Sequence, residues 1–324
     1  MVSATPSAKR PAPDRPLIEL RGLHRVFGDT HAVRGVSFEV YPGQVFGYIG
    51  PNGAGKTTSM RILATLDEPS AGDALVDGLS VIEDPDRVRR RLGFMPDYYG
   101  TYQNVSVADY LDFFARAYGL RGAERRRAIS FATDFTGLDP LLHKPIDGLS
   151  KGMKQRLALG RTMIHDPAVM VLDEPAAGLD PRARIELREM ISRLAALGKA
   201  VLISSHILTE LAEICDSVGI LEQGRLLAVG SVDEISARVA TQCYVTIRAV
   251  GGVAPVAEWL AQHEQVSDVA IEGDRLRLQH AGDEAAQADL LAELVAAGFR
   301  IIEFGSRAVS LEDVFLHVTE GRVQ

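Results

Sequence analysis

Nine consecutive residues, Gly50-Pro51-Asn52-Gly53-Ala54-Gly55-Lys56-Thr57-Thr58, satisfy the spacing G-x-x-x-x-G-K-[ST]. Glycines at these places let successive backbone N–H groups converge on phosphate oxygens with no Cβ in the way. Lys56 adds a cation for β- and γ-phosphates, and the Thr57 hydroxyl is a ligand for magnesium. A chance glycine turn could produce part of this pattern. The flanks argue against that: an apolar run over residues 44–49 enters the loop, and Met60, Leu63 and Leu66 recur at helical spacing behind it. Strand, loop and helix are the context a phosphate site needs, because the helix N-terminus contributes partial positive charge.

A second element supplies carboxylates. Residues 168–172, Ala-Val-Met-Val-Leu, form an apolar run that ends in Asp173-Glu174. Asp173, at the end of a buried strand, is placed to hold the metal. Glu174 beside it is placed to polarise a water as general base. Alone, such a pair could simply face solvent; beside a phosphate loop the hydrolytic reading is the better one.

Three further segments carry a resemblance. Leu149-Ser150-Lys151-Gly152-Met153-Lys154-Gln155-Arg156 resembles the LSGGQ signature of ABC ATPases. Gly178-Leu179-Asp180-Pro181 resembles their D-loop, and Ser204-Ser205-His206 their switch histidine. Each is weak by itself, but with Lys56 and Asp173-Glu174 they stand in the family's order over about residues 17–236. The resemblance implies ATP and Mg²⁺ as ligands and a head-to-tail homodimer that sandwiches two ATP molecules. It implies that Ser150 and the N–H of Gly152 touch the γ-phosphate across that interface. It also implies that His206 contacts the same phosphate, that Asp180 links the two sites, and that Phe27 stacks on adenine. A plain core role is the alternative for Phe27.

Departures from the pattern are local. Lys151 stands for the first signature glycine and Met153 for its glutamine. Lys151 either adds a cation near phosphate or points into solvent. In Gly93-Phe94-Met95-Pro96-Asp97, Asp97 occupies the place of the family's Q-loop glutamine. Ionised aspartate only accepts hydrogen bonds, so Asp97 either keeps a metal-sensing role or turns outward.

The elements that position these groups read as α/β, and the resemblance implies a mixed sheet with helices, an antiparallel β subdomain and a helical subdomain. Residues 17–41 suggest short strands with turns at Gly28-Asp29 and Pro42-Gly43. A helical subdomain is expected over about residues 98–165. There Tyr110, Phe113, Phe114 and Ala117 fall on one helical face. Residues 181–197 read as a helix with proline at its first position, and residues 218–221 and 226–229 as strands joined at Gln223-Gly224. A small accessory α/β domain is expected over residues 240–324, and a disordered tail without a secretory h-region over residues 1–16.

Composition narrows the class. The net charge of −8, from 43 acidic and 35 basic residues, speaks against broad nucleic-acid binding. The run Arg87-Val88-Arg89-Arg90-Arg91 is then expected to be a solvated basic face. Two cysteines, Cys215 and Cys243, lack metal-ligand spacing and fit a reducing compartment. His143, His165 and His317 have no partner pattern and read as ordinary residues. No apolar run is long enough to span a bilayer. Work at a membrane would require a separate permease at the cytoplasmic face.

Residues 107–120 resemble the helical segment of bacterial export ATPases with separate permeases, and the ending Ser310-Leu311-Glu312-Asp313-Val314-Phe315-Leu316 resembles that of drug-resistance exporters of the daunorubicin and bacitracin type. That resemblance implies an ABC-2 exporter ATPase docked on permease helices near Tyr98, Tyr99, Tyr102 and Tyr110. For Tyr110 the expectation is packing within the helical subdomain. An importer ATPase is the nearest alternative, and a soluble ABC ATPase the next. Translation factors of the class carry two cassettes and repair proteins a long coiled coil; neither feature is present here.

Overall fold

The computed structural model describes residues 15–98, 100, 104–205, 213–231, 234–235 and 243–307. His206, His317, Tyr99, Tyr102, residues 1–14 and the ending at 310–318 lie outside the described residues. The chain divides into two compact units, one ending at Gly230 and the other beginning at Ser231.

The first unit holds two sheets. Strands β1 (Ile18–Phe27), β2 (Thr30–Val40), β4 (Ala71–Val76) and β5 (Leu79–Ser80) form an antiparallel sheet in the order β2-β1-β4-β5. Residues 17–41 are therefore two long strands where several short ones are expected. Irregular register near Leu20, Leu23 and Arg25 breaks the alternation that would have revealed them. The second sheet has six strands in the order β10-β9-β3-β8-β7-β6. These are β3 (Val45–Ile49), β6 (Leu92–Met95), β7 (Val169–Leu172), β8 (Ala200–Ser205), β9 (Ser217–Glu222) and β10 (Arg225–Ser231). Strands β6, β7, β8, β3 and β9 run parallel. Burial on both faces explains why β3, β7 and β8 are continuous apolar or small-residue runs. Gln223 and Gly224, both at positive φ, make the two-residue turn from β9 to β10.

Helix α1 (Lys56–Leu63) joins the two sheets in one core. Met60, Ile62 and Leu63 are fully buried there, and Phe38 of β2 stacks on Phe46 of β3 with ring centroids 4.5 Å apart. Helix α2 (Pro85–Arg91) carries the arginine run on an exposed face, where Arg87 pairs with Asp84, Arg89 with Asp86 and Arg91 with Asp77. Such short-range pairing is what a solvated basic face looks like.

The helical subdomain comprises α3 (Val107–Ala117), α4 (Gly122–Thr136) and α5 (Lys151–Thr162). Val107, Tyr110, Leu111, Leu138, Ile146, Leu149 and Leu157 form its core, so Tyr110 packs inside it. Ser106 caps α3 by accepting from the Asp109 N–H at 3.1 Å. Helix α6 (Pro181–Ala196) follows β7 and covers the main sheet from β8.

The second unit runs β11 (Cys243–Ala249), α7 (Ala254–Leu260), β12 (Val266–Glu272), β13 (Arg275–His280), α8 (Glu284–Ala296), β14 (Ile301–Arg307). Its sheet order β12-β13-β11-β14, antiparallel throughout, is the βαββαβ arrangement of ferredoxin-like units. Val245, Ile247, Leu276 and Leu278 meet Val256, Leu260, Leu290 and Leu294 of its helices in a core of its own. No described helix is long and apolar enough to cross a membrane.

Leu111 is fully buried among these subdomain helices. Leu111→Ala is expected to cost about 2–5 kcal/mol of local stability. Hydrogen exchange should show faster opening of α3 and α5, with β3 and β7 protected as before.

Candidate functional site

Parallel register brings the chemical groups to one edge. Met95 lies opposite Leu172, Leu172 opposite Ile203, and Ile49 opposite Ser205, so β6, β7, β8 and β3 end together. The segments leaving those ends carry Asp97, Asp173-Glu174, Ser204-Ser205 and the glycine loop. Ligands of open α/β sheets bind at such an edge.

The loop has the backbone its glycines predict. Gly53 and Gly55 sit at φ +82° and +103°, and Gly55 is the N-cap of α1. A Cβ on Gly50 would strike the carbonyl of Leu221, and one on Gly55 that of Ala32. Asn52 and Gly53 are exposed at the turn, Ala54 is buried beneath it, and the Ala54 N–H donates to the Pro51 carbonyl at 3.1 Å. Thr57 is exposed and Thr58 half-buried in the first turn of α1, which contains no acidic residue. That helix end is electrostatically ready for an anion.

Lys56 is buried, its ammonium donating to the carbonyls of Gly50 at 2.6 Å and Pro51 at 3.2 Å. Glu174 Oε1 stands 3.9 Å from the same nitrogen. Burial lowers the Lys56 pKa, and the negative charges of Glu174 and Asp173 oppose that shift.

Asp173 is fully buried, with its N–H donating to the Met95 carbonyl at 2.8 Å. The Ser204 hydroxyl donates to Asp173 Oδ1 at 2.6 Å and accepts from the Glu174 N–H at 2.8 Å. One side chain thus fixes both carboxylate residues. Burial raises the Asp173 pKa; hydrogen bonding from Ser204 and the Thr57 hydroxyl lowers it, and Asp97 and Glu174 raise it further. Oδ2 is buried and has no hydrogen-bond partner among the described residues. A buried carboxylate oxygen left over beside a hydroxyl suits a hard divalent cation that takes its other ligands from phosphate and water. Glu174 holds φ +47°, a left-handed conformation that costs an unbranched residue roughly 1–3 kcal/mol.

Asp97 is exposed and accepts from the Tyr98 N–H at 2.7 Å, yet its charge is felt at Asp173. Phe27 closes the β1–β2 hairpin opposite Thr30 and is 45% exposed, with the Arg25 guanidinium 4.3 Å over its ring. It is not a core aromatic.

The signature and D-loop residues form a second group. Helix α5 begins at Lys151, because Ser150 caps it by accepting from the Met153 N–H at 3.3 Å. Asp180 caps α6 by accepting from the Ala183 N–H at 3.0 Å. The two helix starts touch: a Cβ on Gly152 would lie 3.1 Å from that of Ala183, and the Lys151 ammonium sits against Gly178. Lys151 is thus laid along its own D-loop. Buried Gln155 donates to the Pro175 carbonyl, tying α5 to the segment after Glu174. No hydrogen bond or ion pair among the described residues joins Ser150, Gly152 or Asp180 to the glycine loop.

Sequence reasoning quoted Ser204 and Gln155 only as members of motifs and gave neither a role of its own. A hydroxyl at a strand end hints at the first; the second depends on a contact twenty residues away that no local pattern signals. His165 is stacked on Tyr118 at 3.7 Å, accompanies the Leu92 carbonyl at 3.2 Å, and has its pKa pushed down to about 4 by burial, so it is a neutral packing residue.

Comparison with known proteins agrees with this architecture. Residues 33–177 match the family model described as ABC transporter, and residues 230–319 the model described as ATP-binding protein DrrA1-3-like, C-terminal domain. The Nod factor export ATP-binding protein I of Ralstonia nicotianae is 32% identical over 304 residues, covering 94% of each chain. The probable multidrug ABC transporter ATP-binding protein YbhF of Escherichia coli is 38% identical over 228 residues, which is 70% of this chain. This chain spans only 39% of the length of YbhF. A solved structure of the ATP-binding subunit of an ABC transporter superposes with TM-score 0.63 at 32% identity, over 69% of this chain and 93% of that one.

Ser204→Ala removes the donor to Asp173 and the acceptor for the Glu174 N–H together. Steady-state ATPase assays should show kcat lowered about tenfold or more with a smaller change in KM, and Ser204→Thr should restore part of the loss.

Proposed function

The chain belongs to the ABC transporter family of ATP-binding subunits, and from that premise we propose that it hydrolyses ATP as half of a head-to-tail homodimer driving a separate export permease. The observation that carries the reading is the meeting of Lys56, Thr57, Asp173 and Glu174 at one sheet edge, with Ser204 locking the two carboxylates. Lys56 would neutralise the β- and γ-phosphates while backbone N–H groups of the glycine loop and the first turn of α1 cradle their oxygens. Mg²⁺, when bound, would offset phosphate charge, held by the Thr57 hydroxyl and Asp173, with Asp97 within electrostatic reach. Glu174 would take a proton from the attacking water. His206 would steady the γ-phosphate, and Phe27 would offer its exposed face to adenine.

Ser150, Gly152 and Asp180 would serve the partner subunit's nucleotide. Their separation from this chain's own loop supports a role in trans, and the capped N-terminus of α5 favours an anion. ATP would then hold two subunits together and hydrolysis would release them. The exporter assignment rests on similarity to export ATPases and to the DrrA-like C-terminal model. Attachment to the cytoplasmic face of the membrane would be through the permease. The natural seat for it is the surface of exposed aromatics around Tyr98, Tyr118 and Phe113. The second unit would stabilise or regulate the dimer.

The decisive experiment isolates the tagged chain from solubilised native membranes with ATP present and identifies what accompanies it by mass spectrometry. A stoichiometric polytopic permease is expected; an active ATPase reproducibly found without one would overturn the transporter reading.

Two variants test the chemistry. Glu174→Gln should retain ATP binding, lose most turnover, and accumulate an ATP-bound dimer visible by size-exclusion chromatography. Asp97→Gln should shift the magnesium concentration needed for half-maximal turnover; an unchanged titration would mean that Asp97 does not sense the metal.

A further inference from the structure

The hairpin of β1 and β2 is pinned on both sides of Arg25. The Ser70 N–H donates to the His24 carbonyl at 2.8 Å, and the Val26 N–H donates to the Ser70 hydroxyl at 3.0 Å. Phe27 pairs with Thr30 across the turn, where Gly28 takes φ +55°. The backbone therefore fixes where the side chains of Arg25 and Phe27 leave the strand. Phe27 projects from the tip, 45% exposed and outside the core that joins the two sheets. A phenyl ring so placed has little packing to hold its rotamer. Arg25 supplies what the core does not: its guanidinium carbon lies 4.3 Å from the centre of the Phe27 ring. A cation at that distance is attracted by the ring quadrupole. The Arg25 Nε is buried and has no hydrogen-bond partner among the described residues. The contact the guanidinium does make is with the face of Phe27.

We propose that Arg25 is a positioning residue for the nucleotide base: it covers one face of Phe27, holds the ring still and leaves the opposite face as the platform for adenine. The inference rests on the reading of Phe27 as the base-stacking residue and adds how that ring is held. The first reason is entropic. An exposed side chain that must be ordered when a ligand arrives gives up rotamer freedom at that moment. A ring already clamped from one side gives up less. The second reason is electrostatic. The guanidinium draws π density towards itself, so the far face of the ring is less negative and repels the π face of a purine less. The third is desolvation. The Arg25 Nε–H is removed from water with no acceptor, which is costly unless the ring face answers it. A base stacked on the open side shields the arginine–ring contact from water and strengthens it. Arg25 touches Phe27 and not the reacting atoms. Its contribution therefore falls on nucleotide binding and leaves the chemistry at Lys56, Asp173 and Glu174 alone.

The test is a double-mutant cycle on the full-length chain: the unaltered protein, Arg25→Leu, Phe27→Ala and the two together. Equilibrium dialysis gives Kd for ATP with Mg²⁺, and steady-state assays give KM and kcat. Arg25→Leu is expected to raise Kd and KM about three- to tenfold, with little change in kcat. Arg25→Lys keeps a cation without the planar fork and should recover part of the loss. Phe27→Ala should raise Kd and KM further, and adding Arg25→Leu to it should change neither again. A loss from Arg25→Leu that persists in full in the Phe27→Ala background overturns the proposal, because Arg25 then acts by another route. So does unchanged binding in a folded Arg25→Leu when Phe27→Ala weakens it. If Phe27→Ala itself binds ATP as the unaltered chain does, the base-stacking reading of Phe27 fails and takes the role of Arg25 with it. Thermal melts check the fold of each variant; if Arg25→Leu misfolds, Arg25→Gln takes its place in the cycle.

Discussion

The two carboxylates at the sheet edge depend on one hydroxyl between two strands. Ser204 reaches from β8 to give a hydrogen bond to Asp173 and to receive one from the Glu174 N–H. It can do so because parallel pairing sets Leu172 opposite Ile203 and Ile49 opposite Ser205. A slip of one residue would turn Ser204 to the other face of the sheet and leave a buried carboxylate without its donor. The left-handed Glu174 would lose its anchor in the same event. Register, burial and strain are thus settled together by a short sheet whose strands are apolar on both faces.

Around that point, charge is balanced locally and incompletely. Lys56 is buried close to Glu174 and near Asp173, which lets an ammonium persist where burial alone would favour its neutral form. Asp173, by contrast, feels Asp97 and Glu174 as well as burial, all of which push its pKa up. The site therefore gathers more negative charge than its one lysine matches. A divalent cation resolves that excess, and a triphosphate is what such a cation and a glycine loop are suited to carry.

The second group of motif residues obeys a different logic. Ser150 and Asp180 are spent as helix caps within the chain, and a Cβ on Gly152 would crowd Ala183. These are local structural duties, sufficient to shape a rigid surface from the starts of α5 and α6. That surface is what the chain would offer to a second copy. Gln155 links it to the segment after Glu174 through the Pro175 carbonyl.

Much of this was legible without coordinates. The glycine loop reads directly, because positive φ at residues 53 and 55 favours glycine there, and residues 50–58 supply it with the lysine and threonine at the required offsets. The apolar run before Asp173, the proline opening α6 and the periodic face of α3 are likewise local properties written in residue order. Irregular strands were not legible: bulges hid the length of β1 and β2, and β6 is four residues long, recognisable only by what covers it. Nor were the roles of Ser204 and Gln155, since each is defined by a partner twenty or more residues away. Sequence determines which chemistry the residues could perform, because functional groups and their spacing are intrinsic to the chain. Tertiary structure decides which groups share an edge, which carboxylate oxygen is left without a donor and which face of an aromatic ring is left open, because desolvation and contact exist only after the strands have paired.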